Sequence, residues 1–360
     1  AYNMNYWQGA VIRKDWLDKL NLPMPTTLDM LESTMAAFKA MDKSIIPASG
    51  ESWYLEPFLA AAVNGGVTHN IEWDRLDPTG EKVINGFTHP EYKKFLELYK
   101  KWLENGWFNK DFLVTDDDKN DQLFESGKIG ILFTDPHNAD RYQSVLQKTD
   151  PNAKATFLPI PNGPGGKAAF AWNSGVDRLV WINQNGPHPE RVVQYFDWLV
   201  SNKDNYTLAR LGIEGKDWIK KGDKWGLPDD AGGDPNKRAY YDVYAPLTYE
   251  SLEMKRVDAT SLSDDIEKEY ESVPVIQPTL KGFSANYDAI GEVNTLDIWG
   301  EMYNIAVGAR PLSDYEKLCD EYYKSGASKL YDGLTKQYQE WKATQGGSSQ
   351  SSTESSSQSK

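Results

Sequence analysis

Cysteine is all but absent: Cys319 is the one thiol in 360 residues. One thiol forms no internal disulfide and no cysteine-based metal site. Its neighbours Glu316-Lys317-Leu318 read as helical, so Cys319 is expected to pack as a small apolar side chain, not to act as a nucleophile. Histidine is scarce too. His69, His89, His137 and His188 are scattered without the His-x-x-x-His spacing of a zinc helix. No apolar run approaches the roughly 20 residues that cross a bilayer. Positive charge is in deficit: 39 Lys and Arg face 53 Asp and Glu, a formal charge of −14. Such a surface repels phosphate backbones, and no nucleic acid is expected as a partner. The sequence opens without Met or a leader and reads as mature or shortened at its front.

The common catalytic signatures are missing as well. There is no Walker loop, and Gly163-Pro164-Gly165-Gly166-Lys167 reads as a turn between strands. There is no Gly-x-Ser-x-Gly elbow. Asp116-Asp117-Asp118 with Asn120 and Asp121 hints at a calcium loop. Counted from Asp116, however, the sixth position is Asp121 where glycine is required, and the twelfth is Gly127 where a bidentate Glu is required. A solvated acidic loop is expected there, and no metal or other cofactor anywhere.

What the chain does have is aromatic surface: 13 Trp and 20 Tyr. Most must lie in the core, but the surplus suits a site that stacks on flat ligands. Residues 6–15 read as a strand and turn, followed by a helix at 15–20. Leu28, Leu31, Met35 and Phe38 share one helical face. Pro90 opens a helix with a Tyr92, Phe95, Tyr99 and Trp102 stripe that closes at Asn105-Gly106. Ile129–Phe133 and Ala155–Ile160 read as buried strands, with a third near Phe170. Helices are expected at 52–64, from Pro189, at 287–307, at 313–325 and at 327–343. The helix from Pro189 would turn Val192, Val193, Phe196, Leu199 and Val200 inward. The Ser-rich segment 346–360 cannot bury enough apolar surface to order and reads as a disordered tail.

The stretch Ile12-Arg13-Lys14-Asp15-Trp16-Leu17-Asp18-Lys19-Leu20-Asn21-Leu22-Pro23, followed by Pro25-Thr26-Thr27-Leu28-Asp29, resembles bacterial extracellular solute-binding proteins of family 1, in their large-lipoprotein Gram-positive branch. Phe124-Glu125-Ser126-Gly127-Lys128-Ile129-Gly130-Ile131, Gly212-Ile213-Glu214-Gly215-Lys216-Asp217-Trp218 and Ile305-Ala306-Val307-Gly308-Ala309-Arg310-Pro311 agree with it, in the family's order. The resemblance implies an α/β, two-lobe periplasmic-binding-protein-like (type II) fold with hinge crossovers. On this resemblance the chain would begin after the first part of lobe 1. Residues 1–10 would form a hinge, 11–171 most of lobe 2, 172–285 a crossover and the remainder of lobe 1, and 286–345 helices packed mainly on lobe 2. It implies a non-catalytic, extracellular, monomeric protein that captures a carbohydrate, closes its lobes on it and delivers it to an ABC transporter permease. Its only tie to a membrane would be a lipid anchor on the missing N-terminus. Two other readings stay open: a carbohydrate-active enzyme that uses some pair among the carboxylates, and a binding protein for a non-sugar solute such as a peptide.

A sugar presents an apolar CH face and a rim of hydroxyls. Its site therefore needs an aromatic plate beside polar side chains. Glu51, Trp53 and Tyr54, at the start of a helix, fit best and resemble the Glu/Tyr pair of maltose-binding protein. Trp172 and Asn173 lie where the family's chain crosses between lobes. Asp135 and His137 follow a strand, at the carboxyl end where open sheets bind ligands. Trp7 precedes the first crossover, and Trp218 lies in the Gly-x-Glu-Gly segment. Trp102, Trp198, Trp299 and Trp341 fall on helices, where packing or amphipathic spacing explains them.

Overall fold

The computed structural model describes residues 8–63, 74–163, 166–171, 181–226, 228, 252, 254, 261–276 and 278–348. The chain divides into two compact units, one of Ala1–Asn5 with Gly175–Asp265 and a larger one of Tyr6–Ser174 with Ile266–Lys360.

The larger unit begins with β1 (Gly9–Arg13), α1 (Lys14–Lys19), α2 (Leu28–Met41), β2 (Ile46–Gly50) and α3 (Ser52–Leu59). The hairpin of β3 (Asp74–Leu76) and β4 (Val83–Asn85) follows, then α4 (Lys93–Glu104), α5 (Asp117–Glu125), β5 (Ile129–Thr134), α6 (Ala139–Leu146), β6 (Ala155–Phe157) and β7 (Phe170–Ala171). The smaller unit holds α7 (Pro189–Val200), α8 (Lys203–Leu211) and the hairpin β8 (Ile219–Lys221) and β9 (Lys224–Gly226). After α9 (Ser261–Ser272) the chain adds β10 (Val275–Ile276), α10 (Ile298–Ala306), α11 (Tyr315–Tyr322) and α12 (Ser328–Ser348) to the larger unit. Among the described residues no helix is long and apolar enough to cross a membrane.

The main sheet runs in the order β2-β5-β1-β6. Strand β1 pairs antiparallel with both β5 and β6, and β2 pairs parallel with β5. The register sets Gly50 opposite Phe133 and Gly9 opposite Thr134. The carboxyl ends of β2 and β5 and the start of β1 therefore share one edge. Every residue of β1 and β5 is buried, as expected of continuous apolar runs. Strand β2 was not expected, since Ile-Pro-Ala-Ser-Gly carries little strand propensity. Pro47 lacks a ladder donor, and the strand sits at the sheet's edge, where that is tolerated.

The helices cover the sheet with their predicted stripes. Leu31, Met35 and Phe38 of α2 are buried, as are Tyr92, Phe95, Tyr99 and Trp102 on and before α4. The Trp102 ring nitrogen donates to Glu32 Oε1 at 3.0 Å, so the indole is buried with its donor satisfied.

Some expectations fail. The acidic run is the first turn of α5, capped by Asp116, which accepts from the Lys119 N–H at 2.8 Å. A long helix over 287–307 is absent, and only Ile298–Ala306 is helical. Side chains of the last helices take the backbone groups that a helix would use. Gln337 bonds both the N–H and the carbonyl of Asn286, Lys329 donates to the Glu292 carbonyl, and the Leu296 N–H donates to Ser325 Oγ. Helix α12 runs past Ala343 through Gly346-Gly347 to Ser348. On α7 Leu199 is buried, but Val192 and Val193 are exposed.

Gly130 sits where α1 and α2 meet β5. A Cβ there would lie 2.4 Å from Phe38 Cδ2 and 3.0 Å from Trp16 Cζ3, in an edge-to-face ring pair. Gly130→Ala is therefore expected to lower stability by about 1–3 kcal/mol in urea unfolding. Combining it with Phe38→Leu should cost less than the sum of the two single changes. Strict additivity would place the strain elsewhere.

Candidate ligand-binding site

At the end of β2 the chain must leave the sheet beside β5. Gly50 makes this possible: its φ is +135°, and a Cβ would lie 2.4 Å from the Phe133 carbonyl oxygen. Glu51 then turns outward in extended conformation, and its carbonyl accepts from the Tyr54 and Leu55 N–H groups to start α3. Pro57 lies inside α3 and has no N–H for the Trp53 carbonyl four residues back. Gln8 supplies a donor instead, Nε2 to Trp53 O at 2.8 Å. The start of β1 thus fixes the first turn of α3.

Asp135 follows β5 at the adjoining strand end. Its Oδ1 accepts from the His137 N–H at 3.0 Å and lies 2.7 Å from His137 Nδ1. The third contributor is the start of α5. A buried network holds it there: Ser49 Oγ donates to Asn120 Oδ1 at 2.6 Å, Asn109 Nδ2 donates to Ser49 Oγ at 3.1 Å, and Asn120 Nδ2 donates to the Thr115 carbonyl at 3.3 Å. This sets Asp117 against Tyr54, whose hydroxyl donates to it. Behind it, Tyr142 and Arg141 both bind Asp121, and Arg141 also reaches Glu125 at 2.9 Å.

Trp53 is 36% exposed. Its ring centroid is 4.8 Å from that of Tyr54, and its side chain donates to the Glu51 carboxylate. On the other side of α3, Tyr303 of α10 donates to Ser52 Oγ. Trp299 in turn donates to Tyr303, with ring centroids 5.0 Å apart, and is 48% exposed.

Burial and then Asp117 raise the Glu51 pKa above its usual 4.5, while the Trp53 bond opposes the shift. Burial, then Asp121, Asp118 and Asp116, raise Asp117 above 3.8, opposed by Tyr54. Burial, then Asp117, Asp135, Glu51 and Asp121, push the Tyr54 hydroxyl far above its ordinary range, so Tyr54 is a hydrogen-bonding group and not a base. Among the described residues, no group of His, Cys, Asp and Glu is arranged to hold a metal ion.

Of the residues expected from sequence, Glu51, Trp53, Tyr54, Asp135 and His137 gather at one sheet edge. Trp218 belongs to the smaller unit, where it is buried. Its ring nitrogen donates to the Gly212 carbonyl at 3.1 Å, closing the Gly212–Trp218 turn on one wall of an open groove of about 720 Å³. Trp7, Trp172 and Asn173 lie outside the described residues. Sequence reasoning does not single out Asp117, read as part of a solvated loop, or Trp299, read as packing or amphipathic spacing. Trp102 is fully buried, but Trp299 lies in the exposed first turn of α10, just after its cap Asp297. A capping Asp two residues before a Trp was the available signal.

The model of the bacterial extracellular solute-binding protein family matches residues 1–206. The chain belongs to this family. Among its relatives, this solute-binding protein is 25% identical to the polygalacturonan/rhamnogalacturonan-binding protein YtcQ of Bacillus subtilis over 337 residues, which are 90% of the chain and 66% of YtcQ. It is also 25% identical to lipoprotein LipO of the same organism, over 91% of the chain and 68% of LipO. The chain thus spans about two thirds of the length of these relatives. Fructooligosaccharide ABC transporter substrate-binding protein FusA of Streptococcus pneumoniae is 26% identical over 49% of the chain and 33% of FusA. Among solved structures, FusA with kestose superposes with a TM-score of 0.67 at 21% identity, covering 95% of this chain and 74% of that one. Alginate-binding protein AlgQ2 without calcium ion gives 0.67 at 17% identity, covering 93% and 72%. These likenesses show the fold to be the two-lobed α/β architecture of ABC substrate-binding proteins.

A carboxyl whose pKa is raised on folding favours the folded state at low pH, and that contribution is lost as pH rises through the folded-state value. Ionised Glu51 therefore works against folding at neutral pH. Glu51→Gln is expected to melt higher than the parent at pH 7, with the gap closing as pH falls through the raised folded-state value and gone below 4.5. Thermal melts across that range check it, and a gap that does not change with pH would exclude the carboxyl's environment as the cause.

Proposed function

We propose that this chain is the substrate-binding component of an ABC importer. It captures an oligosaccharide outside the cell and delivers it intact to the permease. The observation that carries this reading is the exposed Trp53 indole tied to the Glu51 carboxylate at the carboxyl ends of two parallel strands. Such a pair meets both surfaces of a sugar: the ring covers the CH face, and the carboxylate accepts from rim hydroxyls. Tyr54, Asp117, Asp135 and His137 supply further polar partners, and Trp299 supplies a second plate. The names of the relatives support a glycan, but they divide between acidic polygalacturonan and neutral fructooligosaccharide. The family is extracellular. By analogy with the relative named a lipoprotein, the working protein is held at the cell surface by a lipid anchor; its monomeric state rests on the family resemblance alone.

Tryptophan fluorescence titrated with a panel of oligosaccharides tests the reading. A saturable shift is expected with at least one of them, and chromatography should recover that glycan unshortened. Trp53→Ala should weaken its affinity about tenfold or more, and Trp299→Ala by a smaller factor, with melting temperatures near the parent's. Shortened glycan would replace this reading with a hydrolase. Saturable binding of peptides alone would replace the ligand class.

A further inference from the structure

The charges around Trp53 go further, resting on the carbohydrate reading above. The net charge of the whole chain does not decide what its site admits, because a local basic patch overrides it. Here the local field has the same sign as the whole. We propose that this site selects uncharged oligosaccharides and rejects those that carry uronate groups.

The strand ends and the exposed indoles of Trp53 and Trp299 define where a sugar lies; the carboxylates decide which sugar. Trp53 donates to Glu51, so the stacking plate and a carboxylate form one unit. A sugar stacked on Trp53 cannot avoid Glu51. The strongest charges acting on Glu51 are Asp117 and Asp116, and on Asp117 they are Asp121, Asp118 and Asp116. Tyr54, between them, is under Asp117, Asp135, Glu51 and Asp121. Of the basic groups on the packed elements, Arg141 and His137 already face carboxylates, and Lys119 of α5 is exposed among the acidic residues of its own first turn. Arg141 is 2.5 Å from Asp121 and 2.9 Å from Glu125, His137 is 2.7 Å from Asp135, and Lys148 acts on Glu125. A uronate would add like charge to carboxyls whose ionisation burial already disfavours. A neutral sugar offers hydroxyl donors to the same oxygens.

Calorimetric titration of the full chain with trigalacturonic acid, its methyl ester, kestose and nystose tests this. Trigalacturonic acid and its ester share one sugar backbone and differ in charge and in the ester methyls, and the salt dependence separates the two. At least one neutral probe should bind, and the acid should bind at least tenfold more weakly than the tightest neutral probe. Any measurable gap between acid and ester should narrow as ionic strength rises from about 0.01 M to 1 M, where the screening length falls from about 30 to 3 Å. Glu51→Gln should raise the affinity for the acid relative to the neutral probe, and an unchanged ratio overturns the electrostatic account. Trigalacturonic acid binding as tightly as its ester or a neutral trimer overturns the selectivity but leaves the carbohydrate reading standing. A folded chain that binds none of these probes nor any other glycan overturns both.

Discussion

The hydroxyl of Ser49 is wholly buried at the end of an edge strand, and buried polar atoms must be bonded. Its partners come from distant segments: Asn109, after α4, and Asn120, inside α5. Satisfying one hydroxyl therefore brings the start of α5 to the end of β2. The rest follows in sequence. Asn109 also donates its backbone N–H to the Ala48 carbonyl, so β2 gains a neighbour on its open edge. Gly50, next in the chain, passes against Phe133 without a side chain. Glu51 emerges beside Asp117 because both are anchored to the same three side chains. Without that network, α5 would have no reason to place its acidic first turn at the sheet edge.

The placement conflicts with stability. Acidic residues at a helix N-terminus are favoured by the helix dipole, and α5 uses Asp116, Asp117 and Asp118 there. Glu51 and Asp135, arriving from neighbouring strand ends, are likewise N-caps, of α3 and of the short 3-10 turn before α6, but partial burial and Asp117 still disfavour the ionised form of Glu51. A chain selected for stability alone would neutralise one of them. Keeping carboxylates together around an exposed indole fits a site whose ligand supplies the missing donors.

The legible parts of the sequence were those where one residue type dominates one period. The Phe95, Tyr99 and Trp102 stripe and the Ile129–Phe133 run were readable because burial demands apolar side chains at fixed spacing. Strand β2 was not readable: Pro47, Ser49 and Gly50 are poor strand formers, chosen for an edge, a buried bond and a close approach. The 287–297 stretch failed for a related reason, since Gln337, Lys329 and Ser325 compete for its backbone, and local propensity knows nothing of them. Five proposed site residues were found by looking for aromatics beside polar groups near strand ends. Asp117 escaped because its placement depends on Asn120 and Ser49, and Trp299 because the link from its helix to α3 runs through Tyr303 and Ser52, far apart in the chain.

That last separation bears on the order in which the protein can be completed. The Tyr303 bond to Ser52 joins residues 251 apart, the Tyr331 contact with Asn85 spans 246, and Tyr270 reaches back 262 residues to the Gln8 carbonyl. A chain made from its N-terminus forms β1, β2, β5 and the acidic turn early. It must then wait for roughly 160 more residues before α10 arrives to bond Ser52 of α3 through Tyr303. Until then the surfaces of α4 and of the β3–β4 hairpin that receive α10 and α12 have no cover from them. Such non-local closure makes folding slow and late.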